Sequence, residues 1–319
     1  MPKLRRIFEN IPYWLINLLT ILSGIITICT PIVGFITLLN REQSGQLVDI
    51  NWLLLACTIV FLLLIILLGL RLWKYRKLSK SRLRTVSFAL HNLSHKFRDV
   101  FFDILHDYKL KQLNEISLTN YVDRFIKESL NELCKIMEDY TACEVSACVK
   151  LIECDDSSDK GIEVDTAKIV VFCRSDNSDK ERINYDKQPH QTFLKEDTAL
   201  MQVVGEDAKP HFSCSDLRKY REKHSGEKEY YKNPNQNWEK YYIGTFIVPI
   251  RIELSRLFYK KDDEPYHVIG FLCLDSLSKN AFLDRQEKYN AEIIKSFADI
   301  FYVVFSKYSH YLHKVREAK

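Results

Sequence analysis

Glycine is scarce in this sequence. Nine glycines are spread through 319 residues, and nowhere do they gather into a loop whose backbone N–H groups could close around a phosphate. That scarcity argues against a kinase or any other module built on glycine-rich phosphate loops. The nine cysteines lack a pattern: none stands in the C-x-x-C spacing of a zinc or redox site. Cys143, Cys148 and Cys154 come nearest to a set, yet they fall on a strand-like run where odd spacings send side chains to opposite faces. Cys29 and Cys57 lie in apolar runs, and the other seven read as buried thiols in a reducing compartment. No metal site is expected. No nucleophile–base–orienter spacing marks an active site, so the expectation is a protein that is not an enzyme. The residues point to no particular cofactor.

Charge is missing in two places. No charged residue occurs between Ile11 and Asn40, nor between Ile50 and Leu70. Each run is near or above the roughly 20 residues that cross about 30 Å of hydrocarbon as a helix. The first is too long for the apolar core of a signal peptide, about 7–15 residues, and no small-x-small cleavage site follows it. Two transmembrane helices, about 11–39 and 50–72, are therefore expected, behind a basic N-terminus of residues 1–10. Lys3, Arg5 and Arg6 precede the first run; Arg71, Lys74, Arg76, Lys77, Lys80, Arg82 and Arg84 follow the second. The connector REQSGQLVD carries only Arg41 against Glu42 and Asp49. The bias of basic residues puts both termini in the cytosol, with Trp14, Trp52 and Trp73 at the interfaces. The location expected is a bacterial inner membrane, multi-pass, in contact with lipid. The net charge of +4 is modest, and no basic, aromatic-interleaved surface argues for nucleic acid.

The two runs differ. The second is nearly pure Leu and Ile. The first sets Asn17, Thr20, Ser23, Thr27, Thr30, Gly34 and Thr37 on one stripe with a period near 3.5. In hydrocarbon, small and hydroxyl residues mark helix–helix contact, at only about 0.6 kcal/mol for each hydrogen bond. A homo-oligomer assembled through this stripe is the expectation, and Pro31 would kink the same helix.

Residues 74–112 contain no Pro or Gly. Val86, Leu90, Leu93, Phe97, Val100 and Ile104 step by four and three, an a/d seam sustained for nearly three heptads. Two readings stand: a parallel helix that dimerises, and one that packs on the domain behind it. Within it, Ser94-His95-Lys96-Phe97-Arg98 resembles the phosphoacceptor box of histidine kinases. Asp99-Val100 stands where that box continues with Thr-Pro, and no ATP-binding region follows. His91 and His95 share a helix face without a third ligand beside them in sequence.

From residue 113 to 313 the pattern is that of a compact mixed domain. Ser117 is placed to cap a helix through TNYVDRFIKESLNELCKIMEDY. CEVSACVKLIE and AKIVVFCR read as strands, YIGTFIVPIRI and YHVIGFLCLDSL as two more. A closing helix starts near Asp284, with Glu287 as its capping partner, and residues 314–319 form a tail. Gly270 marks a close backbone approach and Pro249 a strand end or edge. The middle, Asn177 to Tyr242, is long enough to signal a lid or binding loop around a short helix at LKEDTALMQVV.

Helix, two strands, variable middle, two strands and a closing helix resemble a GAF domain, the small-molecule sensory module related to PAS. VVGEDAKPHFSCSDL carries Pro210, Phe212 and Asp216 in the family's middle segment, YYIGTFIVPIRI its penultimate strand, and HVIGFLCLDSL its Ile-Gly-Phe-Leu strand. The resemblance implies an α+β fold: an antiparallel sheet with flanking helices on one face and a roofed pocket on the other. It nominates Phe172, His211, Phe212, Ser213, Cys214, Asp216, Tyr242, Thr245 and Cys273 as pocket residues.

GAF domains usually precede an output module, and no such module is expected here. Two functions then stand. One is a membrane-anchored cytosolic sensor of a small molecule, a nucleotide among the candidates, whose output is oligomerisation or perturbation of the membrane. Its arrangement resembles membrane effectors of bacterial anti-phage signalling. The alternative is a membrane-tethered GAF adaptor that recruits a separate protein partner.

Overall fold

The computed structural model describes residues 48–153, 164–186, 192–204, 208–224, 231–253 and 266–317. The first expected span, with its hydroxyl stripe and the flanking basic N-terminus, lies outside them. The chain divides into two compact units, Met1–Ser81 and Arg82–Lys319. Helix α1 runs from Val48 to Lys109 and so takes in the second expected span. Its apolar side chains Ile59, Leu63, Ile66, Leu67, Leu68 and Leu70 are exposed. Among the described residues no helix is long and apolar enough to cross a membrane.

In the second unit the helices form for local reasons. Helix α2, Glu115–Thr141, has Asn114 as its N-cap, not Ser117. The Asn114 side chain accepts from the Ser117 backbone N–H at 2.9 Å, and Ser117 Oγ accepts from the Asn114 N–H at 3.1 Å. Ser117 is thus the reciprocating partner of the box. The helix ends at Ala142, whose left-handed backbone (φ 58°) sends its N–H to the Glu138 carbonyl. Helix α6, Glu287–Glu317, starts from a 3₁₀ turn at Asp284–Gln286. The cap of that turn is Leu283, without a side-chain bond, so the expected Asp284–Glu287 box does not form.

Among the described residues six strands make one sheet in the order β3-β2-β1-β6-β5-β4, every pair antiparallel. They are β1 Ser146–Glu153, β2 Lys168–Arg174, β3 Thr192–Phe193, β4 Phe212–Cys214, β5 Gly244–Glu253 and β6 Tyr266–Ser276. The long pair β5–β6 and the β1–β6 pair are the centre. Pro249 lies on β5 beyond the reach of the short β4, which pairs only with Thr245 to Ile247. No described strand needs its missing N–H on that side. Gly270 faces Leu151 across β1–β6, and a β-carbon there would collide with the Lys150 carbonyl oxygen. The expected close approach is a backbone contact.

Each face of the sheet has its own core. One meets the helices: Val149, Phe246, Val248, Leu272 and Leu274 pack with Phe125, Leu130, Leu133, Phe297, Phe301 and Phe305. Leu93, Val100 and Ile104 of α1 are buried in this same core. Of the two readings of the heptad seam, packing within the subunit holds. The other face carries Cys148, Ile169, Phe212, Ile247, Phe271 and Cys273. It is covered by Leu194, Leu200, Leu217, Tyr231, Trp238 and Tyr242 from the long middle segment. That segment folds into α3 Lys180–Asp186, a 3₁₀ turn at Leu194–Glu196, α4 Thr198–Met201 and α5 Leu217–Lys223. A curled antiparallel sheet between helices and such a roof fits the GAF-like α+β architecture that the sequence resembles.

Candidate functional site

Alternation along the strands sends charged side chains under the roof with the apolar ones. On β1, Cys148 is followed two residues later by Lys150; on β6, Cys273 is followed by Asp275. Lys150 Nζ lies 3.3 Å from Asp197 Oδ2, with side-chain exposures of 19% and 4%. Asp197 also caps α4, accepting from the N–H groups of Ala199 at 3.1 Å and Leu200 at 3.3 Å. Arg182, from α3, donates to Asp275 Oδ2 at 2.8 Å, and the Thr245 hydroxyl donates to Asp275 Oδ1 at 2.8 Å. Arg174, at the end of β2, pairs with Asp186 through both its Nε and its Nη2. Each ion pair therefore ties a sheet strand to the segment that covers it.

Aromatic groups close the site. The Arg182 guanidinium lies 4.9 Å from the centre of the Tyr242 ring, a cation–π contact strengthened by exclusion of water. Asn233 Nδ2 donates to the Tyr242 hydroxyl at 2.6 Å and to the Tyr231 hydroxyl at 3.2 Å. Burial pushes both phenols well above their ordinary values, so both stay protonated. Burial is the largest single influence and works against the Lys150 ammonium, but Asp197 together with Cys273, Cys148 and Asp275 outweighs it and the net shift is upward. Cys148 and Cys273 are register partners across β1–β6. Their shared hydrogen bond lowers the Cys148 thiol and raises that of Cys273, and the Arg174 charge further favours an anion at Cys148.

Of the nominated residues, Phe212, Tyr242, Thr245 and Cys273 meet on this roofed face. Cys214 packs at its margin, and burial pushes its thiol up to about 11. Ser213, between them on β4, pairs in register with Phe246 of the helix-side core. Phe172 is placed on the helix side, its ring 5.0 Å from that of Phe305. The register explains this. Val149 faces Cys173 and Lys150 faces Val171, so Phe172 is the extra residue of a bulge that breaks the alternation. His211 is likewise turned to the helices, stacked on Phe246 at 5.1 Å with Nε2 2.8 Å from Glu287 Oε1. Asp216 caps α5 and is paired with Lys279 at 2.7 Å, which makes it a structural residue of the turn.

Sequence reasoning missed Lys150, Arg174, Arg182, Asp197 and Asp275. A signal existed for two of them. Lys150 in ACVKLIE and Asp275 in FLCLDSL are charges at the same strand parity as buried cysteines, and a charge at an inward strand position must find a partner. A separate cleft of about 210 Å³ lies between α1 and α2, lined by Lys96, Asp99, Asp103, Arg124 and Glu128. Its ion pairs Lys96–Glu128 (2.9 Å) and Arg124–Asp103 (3.8 Å) are surface pairs of small energetic weight.

Among solved structures, the chain is similar to a type II free methionine-R-sulfoxide reductase from Thermoplasma acidophilum, with 13% identity, a TM-score of 0.34, and coverage of 60% of this chain and 96% of that one. It is similar to the GAF domain of a phosphoenolpyruvate-protein phosphotransferase from Coxiella burnetii, at 12% identity, TM-score 0.34, 61% and 94% coverage. It is also similar to a far-red cyanobacteriochrome photoreceptor, at 12% identity, TM-score 0.30, 68% and 98% coverage. Scores this low place no residue of this chain in a known site. No family model and no curated protein matches it.

Proposed function

We propose that this chain is a membrane-anchored receptor for a small polar molecule, which its GAF-like domain takes up beneath the roof. One observation carries the reading: three cations that are wholly or largely buried, Lys150, Arg174 and Arg182, reach the roofed face, and each is held by a carboxylate from a different element of the chain. An anionic ligand, a nucleotide phosphate among the candidates, would compete with Asp197 or Asp275 for its cation. Because Asp197 caps α4 and Arg182 sits on α3, displacement of either pair moves the roof relative to the sheet. Two-state packing of this kind is how a binding event becomes a signal. The exposed apolar side chains of α1 between Ile59 and Leu70 support membrane attachment, since a run of that kind needs lipid or a partner helix. Oligomerisation through the first apolar run is the output in this reading.

The decisive experiment is mass spectrometry of small molecules extracted from the full-length chain in detergent, beside the Lys150→Gln/Arg182→Gln variant. A nucleotide or other anion carried by the wild type and lost from the folded variant supports the receptor. The adaptor reading is favoured by one fact: the roofed face is filled by its own side chains, with Leu194, Leu200 and Phe271 fully buried. Pull-down of a defined protein partner by a chain that binds no anion at millimolar concentration would decide for it. Replacing Thr20, Ser23, Thr27 and Thr30 together by Leu tests the output: ion leak on overexpression disappears if the stripe assembles the membrane part.

A further inference from the structure

The membrane-proximal helix holds a pair that the roofed face does not use. His91 and His95 stand one turn apart on the exposed side of α1, with Nε2 atoms 3.0 Å from each other and ring centroids 4.4 Å apart. A dication bound to two imidazoles at about 2.0–2.1 Å in tetrahedral geometry separates their nitrogens by about 3.4 Å. The rings are within a few tenths of an ångström of that bite. They supply two donors. Among the described residues no group of three or more His, Cys, Asp or Glu side chains could hold a metal ion.

The rest of the helix face says where two more donors come from. Phe88, His91, His95, Arg98, Phe102 and Leu105 recur at steps of three and four, and all are exposed, Phe88 at 65%, Phe102 at 67% and Leu105 at 41%. This second seam lies on the side of the helix away from Leu93, Val100 and Ile104, which are buried in the subunit's own core. In a parallel two-stranded pairing, seam residues meet their own copies, so one His pair faces another with phenylalanines on either side. Charge also fits. Arg98 takes a d position and Asp99 the adjoining e position, and in such a pairing a d side chain packs beside the partner's e residue. Arg98 and Asp99 already pair at 2.9 Å within one chain, both more than 60% exposed, and remain open to exchange across a two-fold axis.

We propose that His91 and His95 are half of a divalent transition-metal site of the zinc class, completed by the same pair from a second copy of this chain. Imidazole donors select zinc, copper or nickel over magnesium and calcium, which take oxygen. The metal clamps two α1 helices in parallel, independently of any ligand under the roof.

The test uses the untagged full-length chain in detergent, stripped with EDTA and titrated with Co²⁺, then Zn²⁺. The expected result is one ion per two chains with the strong visible absorption of tetrahedral cobalt, bleached by zinc. Under mild oxidation, Phe88→Cys chains cross-link faster with zinc than without. The His91→Ala/His95→Ala variant loses the cobalt band with its thermal unfolding unchanged, because both rings are exposed. His313→Ala, altering another exposed histidine paired with Glu317 at 3.1 Å, keeps the band. One ion per chain, weakly coloured octahedral cobalt, no binding, or a band that survives in the double variant each overturns the proposal.

Discussion

Arg182 and Asp275 lie 93 positions apart in sequence and 2.8 Å apart in the fold, each with only 8% of its side chain exposed. The pair joins the first helix of the roof to the central strand of the sheet. A buried pair of this kind costs desolvation on both sides, and its net contribution is small while both partners are present. Removing one partner strands the other. Asp275→Ala is expected to lower unfolding stability by about 3–5 kcal/mol. The Arg182→Met/Asp275→Leu double variant should recover most of that loss. Urea titrations of the three proteins check it, and an equal loss in the double variant would refute the argument.

Gly270 gives a second expectation. A β-carbon there would meet the Lys150 carbonyl oxygen and lie 3.1 Å from Leu151 Cα, so β1 and β6 must separate to admit it. Gly270→Ala should cost about 1–3 kcal/mol, the range of overpacked cores. Gly69 has nothing within 4 Å of the same added atom, and because alanine is favoured over glycine in a helix interior by about 1 kcal/mol, its alanine variant should melt no lower than the wild type. The comparison is read by differential scanning fluorimetry.

The buried thiols Cys134 and Cys173 contribute to the alkaline limit. Burial pushes Cys134 up to about 12 and Cys173 up to about 12 from an ordinary thiol value near 9.0. The fold holds both protons more tightly than the unfolded chain does. Their contribution is therefore fully present below about pH 8.5–9 and is lost as pH rises toward 12. Stability measured by urea should fall between about pH 9 and 12, the window between the ordinary and the raised values, and Cys134→Ala should flatten that slope. A flat wild-type profile would sink the assignment.

At the start of α2, Asn114→Ala removes the acceptor of the Ser117 N–H. The expected loss is about 1 kcal/mol. Ser117→Ala removes the Oγ bonds to the Asn114 N–H and carbonyl but should cost less, because the Asn114 side chain still caps the helix. Thermal melts of the two variants, ranked in that order, test which residue is the cap.

Much of the architecture was legible. The apolar faces of α2 and α6 repeat at helical spacing, and β5 and β6 are long enough to announce themselves. The short strands β3 and β4, of two and three residues, were not. Nothing in their own pattern makes them strands; they exist because a neighbour offers its free edge. Of the candidate site, the resemblance nominated Phe212, Tyr242, Thr245 and Cys273, which share the face that the roof covers. Arg182 lies on a short helix that the sequence leaves as an irregular segment, and Asp197, inside the short helix expected at LKEDTALMQVV, carries no local sign of its partner.

Periodicity, the glycine opposite Leu151 and the charges inside two apolar strands are local properties, and the chain states them without help. Which side Phe172 faces, whether the heptad seam of α1 turns inward or outward, and which carboxylate meets Lys150 were decided only in three dimensions. A bulge inverts alternation, and an apolar stripe accepts whichever hydrophobic surface is available. A buried charge pairs with whatever the roof brings within reach, because the energy of each choice depends on neighbours distant in sequence.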